Sequence, residues 1–252
     1  MSLWPVFVMS HGRAKTGQTF KMLAQAGIDF EVCVEAQEAL EYKGVHERVL
    51  VNTAGPRTIV GARQTVLNVC RERGIKWFWQ FDDTIMSIYR KLPGLKKSRK
   101  CDTREALLSM QEHAQGKVAL VSPDFKHLAW AQEEASSRNT RCMVITGTRT
   151  DTGCDYDLGL QMKEDLDFCL SHLSTGWETV LDHEHQIDEV AMGKNKTGGL
   201  VERYKEKDFH LNGCLDFLRK WPTVARFAGR RRGRPEVQVR WASFRKNGGG
   251  KT

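Results

Sequence analysis

The sequence lacks the features of a membrane, secreted or zinc-binding protein. No apolar run approaches the roughly 18 residues that a membrane-spanning helix needs. The N-terminus has no basic segment before its first apolar run, so we interpret residues 5–9 as a strand and not as a signal peptide. The seven cysteines are scattered, odd in number and without a C-x-x-C pair, which predicts reduced thiols and no zinc site. We therefore expect a cytosolic protein without a membrane partner.

Internal repeats are also absent, and the composition is that of one folded domain with a small appendage. The 252 residues are 40% hydrophobic, with a mean hydropathy of −0.49. Short apolar strands alternate with amphipathic helices over the first ninety residues, which predicts a parallel α/β sheet that binds a ligand along one edge. Strands are predicted at 5–9, 30–34, 48–52, 76–83, 118–121, 142–145, 177–187 and 237–241. Helices are predicted at 19–26, 38–42, 59–73, 163–173 and 209–221.

Two adjacent aspartates, Asp82 and Asp83, end the most aromatic of these strands. Ligands of open α/β sheets bind outside the carboxyl ends of the strands, which is where this pair would lie. Unpaired carboxylates beside buried hydrocarbon are costly, so a divalent cation is their natural partner. An ordinary Asp-rich turn or helix cap is the alternative interpretation.

Polar side chains also follow the first two strands. Ser10 and Arg13 come after the first strand, where a hydroxyl and a guanidinium can bind the anionic or nucleobase part of a nucleotide. Glu35 follows the second strand and can accept hydrogen bonds from a base or ribose. Arg63, early in a helix, can face a diphosphate or pair with a carboxylate. Each of these residues also has a plain structural interpretation, as a turn or surface residue.

The second half offers acids at a helix start and two histidines in a strand. Glu164 and Asp165 open the helix predicted at 163–173, where they can act as catalytic base or simply complement the helix dipole. His183 and His185 would point to the same side of a strand, so that one of them could complete the coordination of a metal held by Asp83. A polar edge strand is the alternative.

The charge balance favours a polyanionic partner. The formal net charge is +8 and the pI is near 9.2, with the excess at 90–100 and from 226 onward. Gly233-Arg234-Pro235 resembles the core of an AT-hook, an extended arm that places Arg in the minor groove of DNA. Contacts to nucleic acid are expected from Lys96, Lys97, Arg99, Lys100, Arg230, Arg231, Arg232 and Arg234.

The order of these motifs resembles a GT-A glycosyltransferase over roughly residues 5–200. Ser10-x-x-Arg13, Glu35, Gly61-Ala-Arg63, Asp82-Asp83 and Glu164-Asp165 follow one another as in the TET/JBP-associated DNA glycosyltransferases of bacteriophages. The resemblance implies an α/β, nucleotide-diphospho-sugar transferase-like fold with a mixed, mainly parallel central sheet. It places the GT-A domain at 1–222 and leaves 223–252 as a basic C-terminal segment with a short strand.

The resemblance further implies transfer of a hexose, glucose being expected, from a UDP-sugar to the hydroxymethyl group of 5-hydroxymethylcytosine or a related pyrimidine in DNA. The enzyme would be a monomer in the cytoplasm, that of the host cell if a phage encodes it. A GT-A transferase with another acceptor, a nucleotidyltransferase and a non-catalytic DNA-binding protein are the alternatives.

Each motif then takes the role that its counterpart has in the family. Ser10, Arg13 and Glu35 would hold the nucleoside, Arg63 the diphosphate, and Asp82 the ribose or sugar. Mn²⁺ or Mg²⁺ would bind Asp83, with His183 or His185 as a further ligand. Asp165 would deprotonate the acceptor, with Glu164 beside it. A flexible loop would close over the diphosphate through Lys194, Lys196, Gly198 and Gly199.

Overall fold

The strands and helices predicted for the first ninety residues are all present, within a few residues of their predicted ends. The computed structural model describes residues 1–92, 94–95, 97–190, 198–199, 201, 203–231 and 233–245. The first half contains β1 (Val6–Met9), α1 (Gln18–Gln25), β2 (Glu31–Val34), α2 (Ala39–Lys43), β3 (Val49–Val51), α3 (Ile59–Glu72) and β4 (Trp77–Asp82).

The second half has more regular structure than its sequence predicts. It contains β5 (Ile85–Lys91), β6 (Ser98–Lys100), α4 (Thr103–Gln111), β7 (Val118–Phe125), β8 (Ser136–Arg138), β9 (Ile145–Arg149), α5 (Glu164–Ser174), β10 (Glu178–Glu189), α6 (Phe209–Lys220), β11 (Ala225–Arg231) and β12 (Arg234–Val239). The strand predicted at 142–145 is wrong in its bounds, because β9 begins only at Ile145. Val144 has a φ of +66°, a left-handed conformation that an extended strand cannot include.

A mixed sheet forms the centre of the fold. Its strand order is β3-β2-β1-β4-β9-β7-β10-β5-β6, and β8 pairs with β10. The strands β9, β5 and β8 run against the others. This confirms the predicted mixed, mainly parallel α/β sheet. The chain order reverses direction across β1 and β4, so the carboxyl ends of these two strands form the kind of crevice in which α/β proteins bind ligands.

Apolar side chains are buried on both faces of this sheet, as those of β4 illustrate. Trp79 and Phe81 belong to the apolar cluster on the α1 and α4 side, whereas Phe78 belongs to the cluster on the α3 side. All three side chains are fully buried, and burial of each contributes about 2–3 kcal/mol. The buried strand therefore holds Asp82 and Asp83 firmly at its carboxyl end.

The C-terminal part packs against α5 through a third apolar cluster. Leu170 of α5, Phe217 of α6 and Ala225 of β11 form its buried centre. The predicted boundary after residue 222 falls between α6 and β11. The residues predicted to project as an extended AT-hook-like arm instead pair as the β11–β12 hairpin, in which Pro235 is buried.

None of the described helices is both long and apolar enough to cross a membrane. All seven cysteines are free thiols, and six of them are buried.

Candidate active site at the carboxyl ends of β1 and β4

Asp83 is the centre of a polar cluster that joins the ends of β1 and β4. Its Oδ2 accepts a hydrogen bond from Ser10 Oγ at 2.6 Å, and its Oδ1 accepts one from Arg13 Nη1 at 2.5 Å. The hydroxyl of Tyr42 lies 2.7 Å from Ser10 Oγ and accepts from the backbone N–H of Arg13 at 2.9 Å. Burial raises the pKa of Tyr42 to about 12, so this phenol remains neutral. The cluster fixes the turn after β1 relative to Asp83.

Arg63 connects Asp82 to the first turn of α5. Its Nη2 donates to Asp82 Oδ1 at 2.9 Å, and its Nε lies 3.8 Å from Glu164 Oε1. The Arg63 side chain is only 4% exposed, whereas that of Asp82 is 30% exposed and that of Asp83 5%. The sequence left open whether Arg63 faces a diphosphate or pairs with a carboxylate. In the structure it pairs with carboxylates.

Negative charge accumulates around Asp82 beyond what Arg63 balances. Burial, followed by the charge of Asp165, raises the pKa of Glu164 to about 7. Burial raises the pKa of Asp82, and Asp83 and Asp165 add to the shift. Glu189 belongs to the same group, because burial and then Asp82 raise its pKa to about 7. The sequence motifs gave no reason to select Glu189, which reaches the site because β10 pairs it with Ile85.

Glu35 lies at the same edge of the sheet and is held by a residue that the sequence did not indicate. Asn52, which follows β3, donates from Nδ2 to Glu35 Oε1 at 2.9 Å. The hydroxyl of Thr65 in turn donates to Asn52 Oδ1 at 2.9 Å. Glu35 thus lies at the carboxyl end of β2, as predicted from its position after the strand.

Gly198 and Gly199 lie against the turn after β1. The N–H of Gly199 donates to His11 O at 2.9 Å. A Cβ at position 198 would come within 2.4 Å of His11 O and 2.8 Å of Arg13 Cγ, and both glycines have positive φ. Only glycine can therefore approach this turn so closely. Lys194 and Lys196 lie outside the described residues.

The structure does not bring His183 or His185 to Asp83, contrary to the sequence-based expectation. His183 is bound to Asp124 (Nδ1 to Oδ2, 2.9 Å) and His185 is paired with Asp182 (3.3 Å). A bulge in β10 spans 182–186, and His185 lies opposite Arg90, five residues along β5 from Ile85. At about 3.4 Å per residue this is roughly 17 Å along β5 from Ile85, the residue that follows the aspartate pair by two positions. Within the described ranges, no group of three or more His, Cys, Asp or Glu side chains is arranged to hold a metal.

The three acids at the start of α5 face different partners. Glu164 faces Arg63, and Asp165 is half-buried. Asp167 is fully buried and binds the C-terminal part, accepting from Trp221 Nε1 at 2.8 Å and lying 2.9 Å from Lys220 Nζ. Glu164 and Asp165 therefore remain the acids of this turn that are available to the site.

The predicted nucleic-acid contacts lie on two hairpins. Lys97, Arg99 and Lys100 are exposed at the β5–β6 edge of the sheet, and Arg230 is exposed on β11. Arg234 is half-buried, with its guanidinium 5.6 Å from the ring centroid of Tyr204. The backbone of Arg231 pairs with that of Arg234. Lys96 and Arg232 lie outside the described residues.

Comparison with solved structures gives matches of low sequence identity. A197 from STIV is 12% identical over 75% of this chain and 86% of that chain, with a TM-score of 0.46. A candidate nucleotide-diphospho-sugar transferase from Desulfovibrio desulfuricans G20 is 11% identical over 88% and 98%, with a TM-score of 0.43. S. aureus TarS is 14% identical over 74% and 36%, with a TM-score of 0.42.

No curated protein sequence matches this chain. A family profile does: that of the TET-Associated Glycosyltransferases matches residues 4–199 of the 252. The matched range contains β1 to β10 and therefore the whole cluster around Asp82 and Asp83. It confirms the predicted class of enzyme. This chain belongs to the TET-associated glycosyltransferase family, and it is a glycosyltransferase.

Proposed function

We propose that this enzyme transfers a hexose, glucose being expected, from a UDP-sugar to the hydroxymethyl group of 5-hydroxymethylcytosine or a related pyrimidine in DNA. The observation that carries the proposal is the meeting of Asp82, Arg63, Glu164 and Asp165 beside the Ser10–Asp83 cluster, in a chain of this family. A nucleotide-binding turn and a pair of candidate bases are the two parts that glycosyl transfer to a hydroxyl needs.

The donor nucleoside is assigned to the ends of β1 and β2. Ser10, Arg13 and Glu35 lie there, with hydroxyl, guanidinium and carboxylate groups for the base and ribose. Asp83 holds Ser10 and Arg13 in place, so its role in this proposal is to position the donor site. Gly198 and Gly199 contact the turn that carries Ser10 and Arg13, so their backbone would lie beside the donor.

A divalent cation, Mn²⁺ or Mg²⁺, fits beside Asp82 better than beside Asp83. Both oxygens of Asp83 already accept hydrogen bonds in a buried position, whereas Asp82 is the more exposed and has excess negative charge around it. Mg²⁺ is commonly held by one or two protein carboxylates together with substrate phosphates, so Asp82 with Glu189 is a sufficient set. Bound there, the cation would neutralise charge on the departing UDP. This assignment moves the metal from Asp83, where the resemblance implied it, to Asp82.

Proton removal from the acceptor is assigned to Asp165, the half-buried carboxylate of the first turn of α5. Glu164 lies beside it with a pKa raised to about 7, so that it can share the proton near neutral pH. Arg63 lies between Glu164 and Asp82 and fixes the distance between these two carboxylates. Exposed Lys97, Arg99 and Lys100 would contact the phosphates of the acceptor DNA.

Mass spectrometry of nucleosides tests the proposal directly. DNA containing 5-hydroxymethylcytosine is incubated with each of a panel of UDP-hexoses and Mn²⁺, with unmodified DNA and the Asp165→Asn variant as controls. A hexose mass gain on hydroxymethylcytosine alone, lost in the variant, is the expected result. A nucleotide mass gain would identify a nucleotidyltransferase instead, and DNA binding without any mass change would identify a non-catalytic protein.

A further inference from the structure

The C-terminal unit, residues 203–245, follows the range that the family profile matches and packs on the catalytic helix. Leu166 and Leu170 of α5 contact its apolar cluster. Beside them, the ammonium group of Lys163 lies 3.2 Å from Glu236 Oε2 of β12. The β11–β12 hairpin is therefore fixed relative to Glu164 and Asp165, which directly follow Lys163.

Arg234 lies at the tip of this hairpin, where its side chain contacts an aromatic ring and its backbone is held by strand pairing. Its guanidinium carbon lies 5.6 Å from the ring centroid of Tyr204, which also stacks on His210 at 4.7 Å. The next residue, Pro235, is buried, and its carbonyl accepts from Cys214 Sγ at 3.5 Å. The cation is thus pre-positioned, which lowers the entropic cost of binding an anion.

Tyr204 connects Arg234 electrostatically to the active site. Burial and then the negative charge of Glu164 raise the pKa of Tyr204, while the positive charge of Arg234 lowers it. The geometric link is made two residues along β12, where Glu236 pairs with Lys163 at 3.2 Å. Burial, followed by the charges of Arg234 and Lys163, lowers the pKa of His210. Among the described residues, no carboxylate forms an ion pair with Arg234. A half-buried guanidinium without a carboxylate partner is a favourable site for an anion from the substrate.

We propose that Arg234 is a phosphate-binding residue of the active site, placed beside the first turn of α5 by its contact with Tyr204. The proposal rests on the proposed function, since both substrates named there carry phosphate: the diphosphate of UDP and the backbone of DNA. A guanidinium binds either through two parallel N–H···O bonds, which a lysine cannot reproduce.

Binding measurements on three variants separate the two sources. Arg234→Met keeps the aliphatic stem on Tyr204, and Arg234→Lys keeps the charge without the planar fork. Arg226→Met is the matched control, because Arg226 is exposed on the same hairpin and donates to Gln238 Oε1 at 3.0 Å. Affinity for UDP and for uridine is measured by calorimetry with Mn²⁺, and affinity for duplex DNA by anisotropy over a salt series.

We expect Arg234→Met to weaken one phosphate ligand about 10- to 100-fold, the range for a charge-assisted hydrogen bond, with partial recovery in Arg234→Lys. Loss for UDP but not uridine would place the donor diphosphate at Arg234. Loss for DNA, with the salt slope reduced by about one, would place an acceptor phosphate there.

Equal affinities in Arg234→Met and Arg226→Met would overturn the proposal, as would a parallel loss for uridine, which would indicate a purely structural role. Thermal melts of all three variants check folding, and Arg234→Lys decides the question if Arg234→Met is unfolded. Failure of the proposed function has a different signature: no hexose is transferred to hydroxymethylated DNA by the unmodified enzyme, whatever the binding assays give.

Discussion

The guanidinium of Arg63 lies between two carboxylates, with Nη2 2.9 Å from Asp82 Oδ1 and Nε 3.8 Å from Glu164 Oε1. One of these acids ends a central strand and the other begins a helix 82 residues later in the chain. The cation therefore sets the distance between the candidate metal-binding and proton-accepting sides of the site. Its Nε has no hydrogen-bond partner among the described residues, so its role depends on charge more than on complete hydrogen bonding.

We expect Arg63→Met to lower the free energy of unfolding by about 3–5 kcal/mol at pH 8, because removal of one partner leaves buried charges uncompensated. The loss should be smaller at pH 5, below the pKa of about 7 of Glu164, because that carboxyl group is then neutral. Urea unfolding at both pH values measures it. Arg73→Met, at the C-terminal end of α3, is the control, because Arg73 is exposed and loss of its pair with Glu31 should cost no more than about 1 kcal/mol. Equal losses in the two variants would contradict the assignment.

The two adjacent aspartates should respond differently to neutralisation. Asp82→Asn should remove the stimulation of sugar transfer by Mn²⁺ while UDP still binds in the absence of metal. Asp83→Asn should weaken UDP binding even without metal, because the turn carrying Ser10 and Arg13 loses its anchor. Metal titrations of turnover and calorimetry of UDP distinguish these outcomes. The reverse pattern would return the metal to Asp83.

His183→Gln should leave the metal dependence of transfer unchanged. The imidazole binds Asp124 and Ser137 at 2.9 and 2.8 Å, within β7, β8 and β10 and away from Asp82. The variant should instead lower the free energy of unfolding by roughly 1–3 kcal/mol, the cost of a buried polar group left unpaired. A raised Mn²⁺ requirement with unchanged stability would show that the histidine does reach the metal.

Stability should fall as the pH rises toward neutrality, because of Glu164. Its pKa is raised from 4.5 to about 7, so its contribution is fully present below pH 4.5 and is lost as the pH rises through 7. Glu189 acts in the same direction. In Glu164→Gln this part of the pH dependence should disappear, a change on the order of 1–3 kcal/mol between pH 4.5 and 8. Urea unfolding across this range measures it, with exposed Glu41→Gln as control. Parallel profiles for the unmodified protein and Glu164→Gln would refute the prediction.

DNA affinity should depend on the β5–β6 edge of the sheet. Replacing Lys97, Arg99 and Lys100 together by Ala should reduce the slope of log K against log salt by about 2–3, since each phosphate contact contributes about 0.9. Anisotropy with duplex DNA measures the slope. The control replaces the exposed Lys21, Lys43 and Lys76, which are three cations elsewhere on the surface. An equal change in both triple variants would mean that net charge alone, and not this edge, determines binding.

The first ninety residues could be predicted well because their structure follows local rules. The apolar run 77–81 is long enough and aromatic enough to be a buried strand, and α3 shows helical spacing up to Gly74. The prediction of secondary structure failed where pairing with other strands determines the backbone conformation. β5 and β6 owe their extended form to pairing with β10 and with each other, and the sequence of 85–100 has no pattern that requires it.

The same distinction applies to the candidate site. Ser10, Glu35, Asp82 and Asp83 could be found because each ends or directly follows a predicted strand, and parallel strands bring their carboxyl ends to one edge. The positions of His183 and His185 could not be predicted from the sequence. The bulge in β10 changes the direction of both side chains, and they bind Asp124 and Asp182 respectively. Asn52 and Glu189 carry no local signal and become part of the site only through strand pairing.

The sequence by itself determined the alternation of strands and helices, the acids at the strand and helix ends, and the resemblance to a family of glycosyltransferases. These depend on residue types and short spacings, which a chain carries before it folds. Tertiary structure alone decided which aspartate is buried by Ser10 and Arg13, that Arg63 pairs with carboxylates, and that the basic tail folds into a hairpin beside α5. Those outcomes depend on contacts between residues far apart in sequence, whose charges and burial exist only once the sheet has assembled.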